Sequence, residues 1–245
     1  MSSIQGIEIV LPLSKHLQTI IMLHGFTGSG ATFVRGWHGD HKHCWLDDMR
    51  KANPKGCDST KFVFPTATER LISCYGEPRP SYNAWHDYLT DHGGDEGRPD
   101  IEEEINREDL AATRRDIHEL IRKEVALLGG DASRVAVGGA SQGGCVALDV
   151  ALSYPETLGA CIVSFGHIYS CSHTPSEREA LPIFHFHGAE DEVIACSLAE
   201  RGWERLREAG FGSLSLHVAP GLTHCAHSAR ETELCGEQLR QWGFW

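Results

Sequence analysis

Residues 134–152 read Arg134-Val-Ala-Val-Gly138, then Gly139-Ala-Ser141-Gln-Gly143, then Gly144-Cys-Val-Ala-Leu-Asp-Val-Ala-Leu152. The first part is β-rich, the last part is compatible with a helix, and a G-x-S-x-G motif joins them. Such a motif by itself indicates no more than a turn. Between a strand and a helix it indicates a sharp turn that exposes the serine, because the glycines let neighbouring backbone approach without a Cβ clash. We therefore predict that Ser141 is a nucleophile at the end of a strand.

Short β-rich runs alternate with helical patterns along the chain. The runs are Gln18 to Leu23, Lys61 to Phe64, Arg134 to Gly138, Ala160 to Phe165, Ile183 to His187 and Leu214 to Val218. This alternation predicts a mainly parallel central sheet with helices on both faces. Together with the G-x-S-x-G turn at Ser141, it predicts an α/β-hydrolase fold. No internal repeat, low-complexity tract or shift in composition marks a linker, so we expect one domain over residues 1–245.

The clearest predicted helix begins near Asn106, a suitable cap, and ends at Gly129-Gly130, and two others follow Val193 and Ser228. The tract from about 65 to 105 carries no strong strand or helix pattern, whereas ordinary loops rarely exceed about 15 residues. Its aromatic content favours a packed loop or flap over a disordered segment.

The composition limits the partners and the compartment. A formal net charge of −12 argues against binding to nucleic acid or anionic lipid through bulk electrostatics. Nine cysteines lie between Cys44 and Cys235 without a C-x-x-C pair, and nothing at the amino end resembles a signal peptide. We therefore expect reduced thiols and a cytoplasmic protein. No stretch approaches the roughly 18 consecutive apolar residues of a membrane helix, so no integral membrane segment is expected.

A serine nucleophile needs a base to accept its proton and an acid to hold that base, in the chain order Ser, Asp or Glu, His for this fold. The β-run that ends at His187 leads into Gly188-Ala-Glu190-Asp191-Glu192. Its acids therefore lie at the carboxyl end of a strand, where α/β sites assemble. Asp191 is the candidate, and position alone leaves Glu190 and Glu192 as close competitors.

The candidate base lies in the loop Pro220-Gly-Leu-Thr-His224-Cys-Ala-His227, after the last strand. His224 is nearer to the strand and is therefore preferred, with His227 as the alternative. The developing oxyanion needs backbone donors. The Gln142 N–H, at the start of the helix after Ser141, is the first candidate, and the Phe26 N–H is the second.

Two further patterns contain residue types that are common in nucleotide and zinc sites, but neither pattern has the spacing of such a site. The loop Leu23-His-Gly-Phe-Thr-Gly28-Ser-Gly30 is glycine-rich but matches neither G-x-G-x-x-G nor G-x-x-x-x-G-K-[ST], so nucleotide binding is not expected. A local cluster of residue types that bind zinc matches no standard zinc site, so we expect a polar surface loop and no metal there. The cluster consists of His38, His41, His43 and Cys44.

Taken together, these segments resemble the acyl-protein thioesterase, carboxylesterase and lysophospholipase family of small α/β-hydrolases over nearly the whole chain. The blocks that carry the resemblance are Leu23-His-Gly25-Phe26 with Gly28-Ser-Gly30, Phe64-Pro-Thr-Ala-Thr-Glu-Arg70, Ala84-Trp85-His-Asp87, Gly138-Gly-Ala-Ser141-Gln-Gly-Gly144, His187-Gly-Ala-Glu-Asp191-Glu-Val193 and Gly221-Leu-Thr-His224. They are similar, in this order, to the family motifs L-H-G-L-G-D-S-G, P-x-A-P-x-R, W-F-D, G-G-F-S-Q-G-G, H-G-x-x-D-x-V and G-x-x-H. The resemblance implies that Ser141, Asp191 and His224 are catalytic, and that Phe26 and Gln142 donate to the oxyanion.

The chain departs from the family pattern around the predicted pocket. Ala140 replaces the usual aromatic residue before the nucleophile, and the family's C-W-L-P becomes Gly166-His-Ile-Tyr169. The loop from His38 to Cys44 is longer than usual. These departures affect the substrate rather than the chemistry, so the family's acyl-chain preferences do not transfer to this chain.

We predict a serine hydrolase that cleaves carboxylic ester or thioester bonds through an acyl-enzyme, resembles an acyl-protein thioesterase and needs no cofactor. Its substrate is an acyl ester or thioester, acylated proteins included. A small-molecule carboxylesterase or lysophospholipase would share every catalytic residue. A non-catalytic binding protein, or a lyase or transferase on the same fold, is a remoter alternative. Leu71, Tyr75 and Trp85 are candidates to line or cover the acyl site, although core packing explains them almost equally well.

Overall fold

The computed structural model describes residues 2–36, 44–76, 81–175, 179–224, 226 and 228–245. The strands are β1 (Ile4–Val10), β2 (Gln18–Leu23), β3 (Thr60–Ala67), β4 (Glu69–Leu71), β5 (Ser81–Asn83), β6 (Val135–Ala140), β7 (Ala160–Ser164), β8 (Ile183–Gly188) and β9 (Leu214–Ala219). Seven of them form the central sheet in the order β1-β3-β2-β6-β7-β8-β9, while β4 and β5 form a separate pair. β1 is antiparallel to β3, and the other pairs of the central sheet are parallel. The predicted fold class is confirmed.

The α-helices are α1 (Gly30–Arg35), α2 (Trp45–Ala52), α3 (Pro54–Asp58), α4 (Arg107–Leu127), α5 (Gln142–Ser153), α6 (Cys196–Glu208) and α7 (Ala229–Gln241). Helix α4 is the one that the sequence predicts most clearly. Its cap, Asn106, accepts hydrogen bonds from the backbone N–H groups of Glu108 and Asp109, which the first helical turn leaves free. At the other end, Gly129 and Gly130 have φ angles of 78° and 87°, which glycine adopts without strain.

Helices pack on both faces of the sheet because successive side chains of each strand point to opposite faces. On β2, Ile21 and Leu23 belong to the cluster that includes α4 and α5, whereas Ile20 and Met22 belong to the cluster that includes α2 and α7. The central strands are buried on both faces, and this is why they are nearly continuous apolar runs in the sequence. Each fully buried aliphatic side chain of this size stabilises the fold by about 1.5–3 kcal/mol.

Two regions differ from the sequence predictions. β1 is an edge strand that the sequence analysis did not predict. Ile7 and Ile9 lie on its exposed side, and a register shift between Ile4 and Gly6 interrupts the alternation of polar and apolar residues. The tract from 65 to 105 contains β4, β5 and a 3-10 turn, each of which is three residues long and too short to give a periodic pattern. Within the described part of this tract, Ile72 and Trp85 are fully buried.

The parallel strands bring the loops that follow them to one edge of the sheet. β2 ends at Leu23, β6 at Ala140, β8 at Gly188 and β9 at Ala219. Ligand sites in α/β sheets lie at the carboxyl ends of the strands. The predicted site residues therefore come from four loops that meet at this edge.

Candidate active site

Ser141 lies at the turn between β6 and α5, with φ 53° and ψ −124°. A non-glycine residue with positive φ is strained, and the conformation persists because the surrounding backbone fixes the turn. A Cβ atom on Gly143 would lie 2.2 Å from Leu23 O, and one on Gly139 would lie 2.4 Å from Gly143 O. The glycines on both sides of the serine are therefore required for β2, β6 and α5 to approach each other.

The serine hydroxyl is hydrogen bonded to a histidine from the loop after β9. The Nε2 atom of His224 lies 2.9 Å from Ser141 Oγ, and its Nδ1 atom lies 2.9 and 2.8 Å from the two carboxylate oxygens of Asp191. Ser141 is 8 % exposed and Asp191 is 6 % exposed, so water screens their interactions weakly. The structure thus brings together the three residues that the sequence predicts for catalysis.

The carboxylate of Asp191 is held in its ionised form. Burial raises its pKa, but hydrogen bonds from His187 and His224 outweigh burial and hold the pKa well below its ordinary value. The backbone N–H groups of Val193 and Ile194 also donate to Oδ1, at 3.0 and 2.8 Å. Because a carboxylate can only accept, His224 carries its proton on Nδ1 and leaves Nε2 free to accept the proton of the serine.

The competing residues of the sequence analysis lie elsewhere. Glu190 is exposed. Glu192 Oε2 accepts a hydrogen bond from the backbone N–H of His224 at 3.0 Å, so this side chain holds the loop rather than the imidazole. His227 lies outside the described residues.

The two predicted oxyanion donors lie close to the serine turn. The Gln142 N–H opens helix α5, where the first N–H groups have no carbonyl partner within the helix. The side chain of Gln142 is fully buried, and its Oε1 accepts from the backbone N–H of Trp85 at 2.9 Å. Phe26 follows Gly25, and a Cβ atom on Gly25 would lie 3.3 Å from the Cβ of Ser141. The turn that carries Phe26 is therefore adjacent to the serine.

A cavity of about 720 Å³ opens onto Ser141, and this volume lies within the range of small-molecule sites. Of the three predicted pocket residues, Tyr75 lines the cavity. Leu71 is 55 % exposed, whereas Trp85 is fully buried with its indole N–H donating to His24 O at 2.8 Å. Neither of the two lines the cavity, so the sequence prediction is corrected for both. Apolar content indicates that a segment packs, but it does not indicate which side chains face the cavity.

Several lining residues were missed by the sequence analysis. They include Tyr88, Cys145, His167, Tyr169 and Glu231. His167 and Tyr169 lie in the segment that departs from the family motif C-W-L-P, and this departure is the signal that could have found them. Burial lowers the pKa of His167, which favours a neutral ring. The Tyr169 hydroxyl lies 2.6 Å from His86 Nε2.

Among the lining residues that the structure describes are four acidic side chains and no lysine or arginine. The acidic residues are Asp48, Asp91, Glu103 and Glu231. Glu231 is 7 % exposed, and Ser164 Oγ donates a hydrogen bond to its Oε1. Burial raises the pKa of Glu231 to about 7. Glu231 thus adds little negative charge while it is protonated, and the cavity disfavours anionic groups through Asp48, Asp91 and Glu103.

Within the described ranges, no group of three or more His, Cys, Asp or Glu side chains could hold a metal ion. His38, His41 and His43 lie outside those ranges. Cys44 is buried, and its Sγ–H donates to Phe33 O at 2.8 Å. No helix in the described part of the chain is long and apolar enough to cross a membrane.

A mainly parallel sheet, a serine at a strand-turn-helix and the chain order Ser, Asp, His define an α/β-hydrolase. Solved structures have the same fold. SOBER1 of Arabidopsis thaliana superimposes with a TM-score of 0.74 at 23% identity, covering 92% of this chain and 98% of that chain. Acyl-protein thioesterase 2 of Zea mays superimposes with a TM-score of 0.72 at 20% identity, covering 97% of this chain and 98% of the other.

Sequence similarity narrows this class to one family. Residues 4–235 match the phospholipase/carboxylesterase family. A probable carboxylesterase of Oryza sativa subsp. japonica is 33% identical over 188 residues, which are 75% of this chain and 74% of that protein. Acyl-protein thioesterase 1 of Emericella nidulans is 29% identical over 232 residues, covering 89% of this chain and 87% of the relative. The chain belongs to the phospholipase/carboxylesterase family, and it is a hydrolase of the carboxylesterase and thioesterase type.

Proposed function

We propose that the chain hydrolyses carboxylic esters or thioesters in two steps, with Ser141 as nucleophile, His224 as general base and Asp191 as the residue that orients the base. One observation carries this proposal. The imidazole of His224 lies within hydrogen-bond distance of both the Ser141 hydroxyl and the Asp191 carboxylate, at 2.9 and 2.8 Å. This is the arrangement that general-base activation of a hydroxyl requires.

In the first step, Ser141 Oγ attacks the acyl carbonyl carbon while its proton passes to His224 Nε2. The bond to the alcohol or thiol then breaks, and the leaving group takes that proton. In the second step, a water molecule gives a proton to His224 and attacks the acyl-enzyme, which releases the carboxylic acid and restores the serine.

Two backbone donors stabilise the negative charge that develops on the carbonyl oxygen. We assign this role to the N–H groups of Phe26 and Gln142, since the turn of Phe26 is adjacent to Ser141 and Gln142 opens helix α5. Each such donor typically stabilises the transition state by about 3 kcal/mol. The N-terminal end of α5 adds the positive end of a helix dipole at the same place.

The acyl or alcohol portion of the substrate occupies the cavity that opens onto Ser141. Aromatic side chains form much of its wall, among them Phe26, Phe33, Tyr75, Tyr88 and Phe165. Such a wall suits an acyl chain better than a highly polar group. An acylated protein, a small ester and a lysophospholipid would all present the same carbonyl to Ser141, and hydrolysis of matched esters of increasing chain length tests which acyl group fits.

Labelling with a fluorophosphonate probe tests the mechanism. We expect the wild-type protein and Ser170→Ala, which changes an exposed serine, to label equally, and Ser141→Ala not to label. The same pattern is expected for hydrolysis of p-nitrophenyl butyrate. A wild-type protein that is not labelled, or a Ser141→Ala variant that labels as well as wild type, contradicts the proposed mechanism.

A cytoplasmic location is part of the same proposal. The eight cysteines within the described residues are all free. Burial raises the pKa of several of these thiols, including those of Cys145 and Cys161, which keeps them protonated and unreactive. Free thiols in this number suit a reducing compartment. Cell fractionation with antibody detection tests the location, and recovery with the secreted fraction would contradict it.

A further inference from the structure

A set of hydrogen-bonded side chains leads to the Asp191 carboxylate from β8 and α6 and has no part in the mechanism above. Its members are His185 and His187 on β8 and Trp203 on α6, which we call the histidine chain. All three are at most 2 % exposed, and none of them lines the cavity. The two histidines are two positions apart on one strand, so they lie on the same face of the sheet.

The positions of the protons along the histidine chain follow from its donor at the far end. An indole N–H can only donate, and Trp203 Nε1 lies 2.9 Å from His185 Nδ1. His185 Nδ1 is therefore the acceptor, and the single proton of this ring is on Nε2. Burial, reinforced by the neighbouring His187 and His167 rings, lowers the pKa of His185 well below its ordinary value, which keeps the ring neutral.

The same reasoning fixes the proton of the next ring. His185 Nε2 lies 3.3 Å from His187 Nδ1, so His187 accepts there and carries its proton on Nε2. That Nε2 atom lies 2.8 Å from Ile194 O and 3.2 Å from Asp191 Oδ2, two groups that can only accept. Each N–H of the histidine chain therefore faces acceptors only, in the direction from Trp203 to Asp191, and the last N–H is shared between Ile194 O and Asp191 Oδ2.

A second proton on His187 would break this order. The second proton would lie on Nδ1 of His187 and would face the Nε2–H of His185. His185 could accept a hydrogen bond there only if its own proton moved to Nδ1, and that proton would then face the indole N–H of Trp203. The geometry of the histidine chain thus makes the ring of His187 a donor to Asp191 through its Nε2–H. Among the residues that the structure describes, His187 and His224 contact the Asp191 carboxylate, and of these two only His224 also contacts the serine hydroxyl.

We propose that Trp203, His185 and His187 are positioning residues for catalysis, which fix the Asp191 carboxylate and, through it, the orientation and the proton of His224. This proposal rests on the catalytic roles proposed above for Ser141, His224 and Asp191. His187 acts on the carboxylate directly, whereas Trp203 and His185 act by fixing the proton of His187. Buried carboxylates that orient a histidine keep a single geometry only when their own partners are fixed.

The test compares variants that remove a donor with variants that keep it. His187→Leu removes the donor to Asp191, and His187→Gln keeps an N–H at a similar reach. Trp203→Phe removes the indole N–H but keeps an aromatic ring. Trp242→Phe is the matched control because Trp242, the C-cap of α7, packs against the cluster that contains Phe184 and Phe186, on the other face of β8. Each protein is titrated with the fluorophosphonate probe, so that rates refer to intact active sites.

We expect His187→Leu to lower kcat for p-nitrophenyl butyrate about tenfold to a hundredfold, with KM little changed, because a hydrogen bond to a charged group is lost. His187→Gln should restore most of this loss. Trp203→Phe should lower kcat by about threefold to tenfold, and Trp242→Phe should match wild type. The downfield NMR resonance of the His224–Asp191 proton should shift in His187→Leu and Trp203→Phe only, which a purely structural role would not cause.

Three results would overturn the proposal. One is a wild-type kcat per titrated site in both His187→Leu and Trp203→Phe. Another is His187→Gln as impaired as His187→Leu, since the donor would then not matter. A third is a resonance of the His224–Asp191 proton that does not shift in Trp203→Phe. If His187→Leu fails to fold, Trp203→Phe is the variant that tests the proposal. A wild-type protein that neither labels nor hydrolyses esters would instead overturn the proposed function itself.

Discussion

Glu231 offers a sharp test of the electrostatics of the cavity. This carboxyl is 7 % exposed, accepts a hydrogen bond from Ser164 and has a pKa that burial raises from 4.5 to about 7. The folded protein therefore holds a proton on Glu231 at pH values where the unfolded chain has released it. Since the unfolded state then binds fewer protons, stability falls as the pH rises from about 4.5 to about 7.

The size of this effect follows from the two pKa values. A difference of one pKa unit corresponds to about 1.36 kcal/mol, so full ionisation of Glu231 costs the folded state about 3 kcal/mol at high pH. Between pH 5 and pH 8 the cost grows by about 2.5 kcal/mol. Glu231→Gln has a similar shape, keeps an acceptor for Ser164 and cannot ionise. We therefore expect this variant to gain about 2.5 kcal/mol of stability relative to wild type between pH 5 and pH 8.

Urea denaturation at half-unit steps of pH measures this difference, with tryptophan fluorescence as the probe. Glu233→Gln is the matched control, because Glu233 lies on the same helix, is 49% exposed and pairs with Arg230. The control should follow the wild-type curve within about 0.5 kcal/mol. A difference between Glu231→Gln and wild type that stays flat from pH 5 to pH 8 would refute the reasoning.

Three further predictions concern the catalytic residues, the turn and the substrate. Asp191→Asn should lower kcat by about 10⁴-fold in a p-nitrophenyl ester assay, because an amide favours the wrong tautomer of His224; a loss below tenfold would contradict the assignment. Gly143→Ala should cost at least about 2 kcal/mol in thermal unfolding, since its Cβ would lie 2.2 Å from Leu23 O, whereas Gly212→Ala meets nothing within 4 Å and should match wild type. An N-acetylcysteamine thioester should have a kcat/KM about tenfold higher than the coenzyme A thioester of the same acyl group at low salt, and the gap should narrow in about 0.5 M salt; equal values would contradict an acidic cavity.

Local sequence patterns were sufficient for most of the fold and for the position of Ser141 at the turn between a strand and a helix. Continuous apolar runs mark strands that are buried on both faces, and Asn106 and Gly129 mark the two ends of α4, because each of these signals lies within a few consecutive residues. Ser141 belongs to the same class, since its motif needs only the strand before it and the helix after it.

Such local patterns did not predict the edge strand β1 or the side chains that line the cavity. The alternation along β1 covers only a few residues, because a register shift interrupts it after Ile4, and its apolar Ile7 and Ile9 are exposed at the edge of the sheet. Leu71 and Trp85 share the apolar character of Tyr75, yet only Tyr75 faces the cavity. Which way a side chain points in an irregular tract depends on what packs against it, and those neighbours come from other parts of the chain.

By itself, the sequence determined an α/β-hydrolase with a serine at a strand-turn-helix, and its motifs named Asp191 and His224 through a resemblance. Only the tertiary structure decided that Asp191, rather than Glu190 or Glu192, contacts the imidazole of His224. It also decided that the histidine chain contacts the Asp191 carboxylate. The physical reason is distance along the chain. Ser141 and His224 are separated by 83 residues, and Asp191 and His224 by 33, so their hydrogen bonds exist only after parallel strands bring their loops to one edge of the sheet.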